Sequence, residues 1–150
     1  MKSKFLVAGL AILMAFSCKK EDESQSCSTC SVGGSTHPSS GFSYVINNGS
    51  TVYADSAFFN ASFRTITSYR NGIATRVNIK TSSQAAGTYS FTSSANTLSY
   101  TESTFTYIAS GGSINITSNA NNKLSGNFVS NGTGGGVISV TGQFQDIPLK

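Results

Sequence analysis

Between residues 42 and 147, short segments of alternating apolar and polar residues follow one another, separated by turns rich in Gly and Asn. The clearest alternation is at Ile73–Lys80, where Ile73, Val77 and Ile79 fall on one face and Arg76 on the other. A period of two indicates a strand with one buried face and one solvated face. Asn-Gly pairs, as in Asn47-Asn48-Gly49, supply the positive φ angles of tight hairpins.

Nine such segments can be counted, with a turn signal every 8–14 residues. This spacing predicts an all-β fold, an antiparallel β-sandwich or flattened barrel of about nine short strands. Only 11% of the residues are charged, against about 25% in an average domain. The recurring aromatic and β-branched residues nevertheless favour a folded domain over a disordered chain. The predicted segments are 42–46, 51–55, 57–69, 73–80, 87–92, 97–109, 113–117, 123–130 and 137–147.

The N-terminus has the pattern of an exported protein. Lys2 and Lys4 precede the uncharged run Phe5–Phe16. Twelve helical residues would span about 18 Å, whereas the hydrocarbon core of a bilayer is about 30 Å thick. We therefore expect residues 1–17 to be a signal peptide rather than a transmembrane helix.

The sequence A-F-S-C at residues 15–18 resembles the bacterial lipobox, in which a small residue precedes a Cys that becomes acylated and N-terminal. Ala15 and Phe16 depart from the residues most frequent in that motif. The resemblance implies that Cys18 carries palmitate or similar acyl chains. Two or three chains anchor a protein durably, because each buried methylene contributes about 0.8 kcal/mol.

The run C-K-K-E-D-E at residues 18–23 is similar to the export tag of Bacteroidota lipoproteins. That resemblance assigns Lys20, Glu21, Asp22 and Glu23 to the tag, and it implies an outer-membrane protein that faces the cell exterior. The alternative is a solvated charge run. Residues 18–40 would then be the lipidated Cys and a polar, flexible tether, and residues 41–150 one β domain.

Cys27 and Cys30 form a C-x-x-C within the tether. A disulfide is the usual state in an exported protein, and free thiols are the alternative. A thioredoxin-like site would need a helix and a βαβ core, which this sequence does not predict. A metal site that also used His37 would lack a fourth ligand. We expect no metal and no cofactor.

The predicted domain contains neither His nor Cys, and its only acids are Asp55, Glu102 and Asp146. A hydrolase would need two of these carboxylates to face each other across a cleft. Scattered acids are more often surface residues, so we expect no catalytic residues. The excess of Lys and Arg over Asp and Glu falls from four to two once Lys2 and Lys4 are removed. The remaining Lys and Arg are dispersed, which argues against a nucleic-acid partner.

Several short motifs recur in order along the C-terminal half: G-T-Y-S-F at 87–91, K-L-S-G-N-F at 123–128 and V-T-G-Q-F at 140–144. This order resembles an uncharacterised small domain of Bacteroidota lipoproteins, which implies a fold and an address but no activity. Asp55-Ser56-Ala57 also resembles the acceptor for O-glycosylation in such organisms, with Ser56 as the modified residue.

The leading functional hypothesis is a non-catalytic, lipid-anchored surface protein that binds a glycan, a peptide or another envelope protein. It is attached to the membrane through the lipid on Cys18. One alternative is an accessory subunit of an outer-membrane complex, and a remote one is a hydrolase using Asp55, Glu102 and Asp146. Six tyrosines could include sugar-stacking platforms, although most are expected in the core.

Overall fold

The computed structural model describes residues 40–150, which form ten strands and no helix. The predicted signal peptide, Cys18, the export tag and the pair Cys27 and Cys30 lie outside the described residues. The strands are β1 (Phe42–Ile46), β2 (Val52–Tyr53), β3 (Ser56–Asn60), β4 (Thr65–Arg70), β5 (Thr75–Lys80), β6 (Gly87–Ser90), β7 (Thr97–Glu102), β8 (Phe105–Ala120), β9 (Lys123–Gly134) and β10 (Val137–Pro148).

All ten strands belong to one antiparallel sheet in the order β2-β1-β10-β9-β8-β7-β5-β4-β3, with β6 paired to β8. The sheet curls into a half-barrel. Its edge strand β3 meets the chain beyond β10, where Phe59 bridges Leu149 in parallel and the Lys150 amide donates to the Phe59 carbonyl at 2.8 Å. The all-β prediction is therefore confirmed. In residues 40–150 there is no helix long and apolar enough to cross a membrane.

Side chains on the concave face alternate regularly with solvated ones and form a single core. Phe42, Tyr44, Tyr100 and Phe144 are among its largest fully buried side chains. In β5, Thr75, Val77 and Ile79 are buried while the residues between them are more exposed, as the period of two predicts. Ile73, predicted on the same face, instead lies in the turn before β5 and is 84% exposed.

The predicted long strand at 57–69 is wrong in one respect, because a turn divides it into β3 and β4. The Asn60 side-chain carbonyl accepts a hydrogen bond from the Phe63 amide at 3.1 Å, and Arg64 adopts a positive φ of 50°. An Asn side chain that bonds to the backbone nearby initiates a turn without Gly or Pro. Phe63 lies in this turn and is consequently 71% exposed.

A second difference concerns Gly111-Gly112, which the sequence predicts as a separator of two strands. The glycines instead lie within the 16-residue strand β8, at a shift of its register with β9. Gly112 has a φ of 99°, and a β-carbon there would overlap the Val129 carbonyl. The two glycines therefore mark an irregularity of the β-bulge type within one strand. They do not reverse the chain. The reversal occurs earlier, at Ser103, which separates β7 from β8 with a φ of 46°.

The motifs S-G-N-F and T-G-Q-F place two Gly–Phe pairs side by side in the core. In the β9–β10 register, Gly126 is opposite Phe144 and Gly142 is opposite Phe128. A β-carbon on either glycine would lie 2.6 Å from the Cζ atom of the opposite phenylalanine. Each ring therefore covers the glycine on the neighbouring strand, and Phe42 stacks on both rings with centroid distances of 5.7 and 6.5 Å.

Candidate binding surface

The three acids of the domain do not form one cluster. Asp146 has a φ of 53° at an irregularity of β10, and its amide bonds to the Ser125 hydroxyl at 2.9 Å. Asp55 and Glu102 instead both lie close enough to Tyr44 to act on its ionisation. Within residues 40–150, no three His, Cys, Asp or Glu side chains gather where they could hold a metal ion.

Asp55 and Glu102 are engaged in bonds that hold the fold. The Asp55 carboxylate accepts from the Asn71 amide at 2.7 Å and so fixes the β4–β5 turn. The Glu102 carboxylate accepts from the Tyr100 hydroxyl at 2.5 Å. The Arg70 cation lies close enough to the Tyr44 hydroxyl to favour its ionised form, and the ring centroids of Tyr44 and Tyr100 lie 5.8 Å apart.

Burial controls the chemistry of the phenols in this group. It raises the pKa of Tyr44, an effect that the Arg70 cation partly offsets. It also raises the pKa of Tyr100 far above the ordinary value, with a further contribution from the hydrogen bond to Glu102. Both phenols therefore stay protonated at neutral pH, and the Tyr100 hydroxyl can donate its hydrogen bond to Glu102. Burial likewise raises the pKa of Tyr107, which bonds to the Ser130 hydroxyl at 3.1 Å.

The six tyrosines divide evenly between the core and its margin, whereas most were expected in the core. Tyr44, Tyr100 and Tyr107 are fully buried, whereas Tyr53, Tyr69 and Tyr89 are half-buried. The fully buried tyrosines cannot serve as stacking platforms. Tyr53 is relevant to binding, because it lies at the end of a row of polar side chains on the convex face of the sheet.

That row crosses six neighbouring strands in direct register. Ser43 is paired with both Tyr53 and Gln143, and Gln143 and Asn115 are each paired with Asn127. Thr88 on β6 continues the row, and its hydroxyl bonds to the Asn115 side-chain oxygen at 3.3 Å. We call these residues the amide row: Tyr53, Ser43, Gln143, Asn127, Asn115 and Thr88.

The core motifs place the amide row on the outer face. Asn127 and Gln143 are the middle residues of the two Gly-x-Phe motifs, so their side chains point away from the face that buries Phe128 and Phe144. Both amides are exposed, Asn115 and Tyr53 are half-buried, and Ser43 is buried between its neighbours. The row therefore presents three amides and a hydroxyl to solvent, with an aromatic ring at one end.

Two shallow depressions flank the pair formed by Asn127 and Gln143, and both residues line each of them. One of them, which we call the upper depression, has a volume of about 410 Å³ and is also lined by Thr51, Tyr53 and Thr141. The lower one has a volume of about 320 Å³ and is also lined by Thr117, Ser125 and Gln145.

Among the residues that the structure describes, no charged side chain lines either depression. Asp146 reaches the edge of the lower one through its bond to Ser125.

Such a surface is suited to a neutral ligand rich in hydroxyl groups. Each Asn or Gln offers one acceptor oxygen and two N–H donors, so it can bond to groups that both donate and accept. The six residues of the row offer amide and hydroxyl groups, which can hold a ligand through hydrogen bonds. The sequence did not indicate it, because the row depends on the registers of six strands that come from three separate parts of the chain: β1 and β2, β6, and β8 to β10.

Ser56, the predicted glycosylation site, is the exposed first residue of β3 and is paired with Tyr69. It does not belong to the amide row. Its accessibility is compatible with modification, which remains a prediction.

Comparison with known proteins gives one family match. A domain of unknown function, DUF6252, matches residues 48–148. No curated protein and no solved structure is similar enough to count as a match. The matched region begins after β1 and contains β2 to β10, including both Gly-x-Phe motifs. Because the match covers about two thirds of its length, the chain belongs to the DUF6252 family.

Proposed function

We propose that this chain is a non-catalytic, lipid-anchored protein of the cell surface that binds its ligand at the amide row. The observation that carries the proposal is the uncharged row across six strands, with a depression on each side of Asn127 and Gln143. Ligand sites fix the orientation of the ligand with a small number of placed polar groups, and the amides of Asn127 and Gln143 supply such groups in both depressions.

The proposed cellular location rests on the N-terminal sequence. The short apolar run, Cys18 and the acidic residues at 21–23 support export to the outer membrane, attachment through lipid and exposure to the exterior, as in Bacteroidota lipoproteins. Residues 19–40 would then act as a tether that lets the domain reach ligands away from the membrane.

The absence of catalysis is part of the proposal and has its own support. Glu102 and Asp55 are bonded to Tyr100 and to the Asn71 amide, and each bond belongs to the fold. Asp146, the third acid that a hydrolase would use, is bonded to Ser125 at an irregularity of β10.

The binding proposal is tested with the full-length chain in detergent micelles, applied to arrays of glycans and of peptides. We expect the parent chain to bind at least one array component and the Asn127→Ala, Gln143→Ala double variant to lose at least nine tenths of that signal. The matched control is Asn78→Ala, which removes a half-buried amide on β5 outside the row and should leave binding unchanged. Silence of the folded parent on both arrays would contradict the proposal.

The address is tested in cells. We expect Cys18→Ser to abolish incorporation of labelled palmitate and to release the chain from the membrane fraction. Replacing Glu21, Asp22 and Glu23 by Ala should keep the lipid but protect the domain from protease added outside the cell.

Crosslinking of the parent chain to a larger membrane complex, with no ligand found, would favour the accessory-subunit alternative.

A further inference from the structure

We infer that the ligand of the amide row is a neutral polysaccharide whose chain lies across the strands, along the row. This inference rests on the proposed function and names the class of ligand for the same surface. Three properties of the surface support this inference: the direction and spacing of the row, its lack of charge, and the backbone beneath it, whose hydrogen-bonding groups are already paired with neighbouring strands.

The row is perpendicular to the strands and is long. Neighbouring strands lie about 4.8 Å apart, so six strands span about 24 Å from the first to the last. Polar side chains therefore recur at about that strand spacing along the row. A chain of pyranose rings presents a new set of hydroxyls at a similar repeat, so successive rings meet successive strands.

Charge selects against acidic polymers. Within residues 40–150, no Lys or Arg belongs to the row or lines either depression. Asp146, bonded to Ser125, adds a negative charge at the edge of the lower depression. An anionic polysaccharide would meet this carboxylate without a cation from the row in compensation. Binding of a nucleic acid would likewise need cations to neutralise its phosphates.

The backbone disfavours an extended peptide. Peptides bind to sheets chiefly by adding a strand to a free edge, where main-chain groups are available. The centre of the row lies instead on β10, β9 and β8, each of which is paired with strands on both sides. Only side chains remain to bond a ligand there, and amides suit hydroxyls, which donate and accept alike.

The two depressions are not equivalent, which gives the bound chain a preferred position. The upper one is lined in part by Tyr53, and the apolar face of a tyrosine ring can pack on the C–H face of a sugar. The lower one is lined by hydroxyls and amides, and Phe144 is the only aromatic residue among its described lining residues; that ring belongs to the core. We therefore expect one sugar ring to stack in the upper depression, with the polymer continuing over Asn127 towards Asn115.

The test uses the full-length chain in micelles and calorimetric titration with hexasaccharides and disaccharides. The panel contains neutral hexasaccharides of glucose, mannose, galactose and N-acetylglucosamine in α and β linkage, together with hexagalacturonate and an uncharged decapeptide. We expect at least one neutral hexasaccharide to bind at least ten times more tightly than its disaccharide. Its affinity should change less than twofold between 50 and 500 mM salt.

Single variants then locate the ligand. Asn127→Ala, Gln143→Ala and Asn115→Ala should each weaken the hexasaccharide about tenfold, Tyr53→Phe should retain it, and Tyr53→Ala should weaken it. Asn78→Ala is the control and should leave the affinity unchanged. Thermal unfolding of each variant verifies that the fold is intact.

The outcomes separate the two claims. A neutral hexasaccharide that binds equally well to the parent and to all row variants would overturn the proposed surface itself. Binding of hexagalacturonate or of the decapeptide that is lost in the row variants would keep the surface and overturn the inference. Failure of every neutral hexasaccharide to bind the folded parent would also overturn it, as would equal affinity for the disaccharide.

Discussion

At the scale of single residues, Asn47 connects two hairpins that are distant in sequence. Its side-chain oxygen accepts hydrogen bonds from the amides of Ile138 at 2.8 Å and Ser139 at 3.2 Å. Its side-chain nitrogen donates to the Gly136 carbonyl at 3.0 Å. Asn47 also has a φ of 50°, which Asn tolerates better than Ala.

Substitution at Asn47 separates these two contributions. We expect Asn47→Gly, which keeps the backbone but removes the three bonds, to lower the free energy of unfolding by about 1–2 kcal/mol. Asn47→Ala should cost about 1 kcal/mol more, because a β-carbon disfavours positive φ. Urea unfolding measures both values. Equal stability of the Gly variant and the parent would mean that the side-chain bonds contribute nothing.

Gly126 and Gly142 are two positions at which a single added β-carbon should lower the stability of the domain. A β-carbon on Gly126 would overlap the Asn115 carbonyl and approach the Phe144 ring, and one on Gly142 would meet the Ser43 carbonyl and the Phe128 ring. We expect Gly126→Ala and Gly142→Ala each to destabilise the domain by about 1–3 kcal/mol, as overpacking does.

The control for these variants is Gly72→Asn. Gly72 lies in the β4–β5 turn with a φ of 70°, and within the described residues a β-carbon at this position would meet no atom within 4 Å. Asn adopts such angles readily, so this substitution should change the midpoint of urea unfolding little. A midpoint for Gly126→Ala no lower than that of Gly72→Asn would contradict the packing role of the Gly–Phe pairs.

At the scale of elements, the alternation of apolar and polar residues predicted most strands, because burial of one sheet face imposes a period of two on the sequence. The turns at Asn47-Asn48 and Asn121-Asn122 were also predictable, and all four residues have positive φ. The break after Asn60 was not, because its turn is stabilised by a side-chain bond rather than by Gly or Pro. The alternation simply continues across it.

Strand β1 precedes the region matched by the family, yet it completes the core. Phe42 and Tyr44 are both fully buried, and five residues of β1 are paired with β10. Removing β1 would expose that edge of β10 and delete two large core side chains, each worth about 3–5 kcal/mol by analogy with Phe-to-Ala changes. That loss is comparable with the total stability of a small domain, about 5–15 kcal/mol.

We therefore expect a chain that begins at Asn48 to lack a cooperative thermal transition, whereas one that begins at Ser40 retains it. Circular dichroism and scanning calorimetry distinguish the two. Phe42→Ala in the full chain serves as the graded control and should lower the free energy of unfolding by about 3–5 kcal/mol. Cooperative unfolding of the shorter chain would show that the family-matched region folds without β1.

At the scale of the whole molecule, the candidate site depends on information that no local pattern holds. The Gly-x-Phe motifs are visible in the sequence, but the row needs Ser43 of β1 beside Gln143 of β10 and Thr88 of β6 beside Asn115 of β8. Such registers are fixed by packing of the complete core. The same holds for the approach of Asp55 and Glu102 to Tyr44 across the concave face.

The three buried tyrosines should lower the free energy of unfolding of the whole domain at alkaline pH. Burial raises the pKa of Tyr44, Tyr100 and Tyr107 above the value of about 10 expected in the unfolded chain. Below pH 10 the phenols are protonated in both states, so their full contribution to stability is present. Above pH 10 the unfolded chain ionises first, and the free energy of unfolding falls.

We expect the free energy of unfolding to be nearly constant from pH 7 to 9 and to fall above pH 10, by up to about 1.4 kcal/mol per pH unit for each buried tyrosine. Urea titrations at fixed pH values give this slope. Tyr100→Phe should be less stable at pH 7, because Glu102 loses its partner, yet it should show a shallower alkaline slope. The Tyr100→Phe, Tyr107→Phe double variant should be shallower still. Slopes identical to that of the parent would mean that these phenols ionise without unfolding and that the buried cluster opens to solvent.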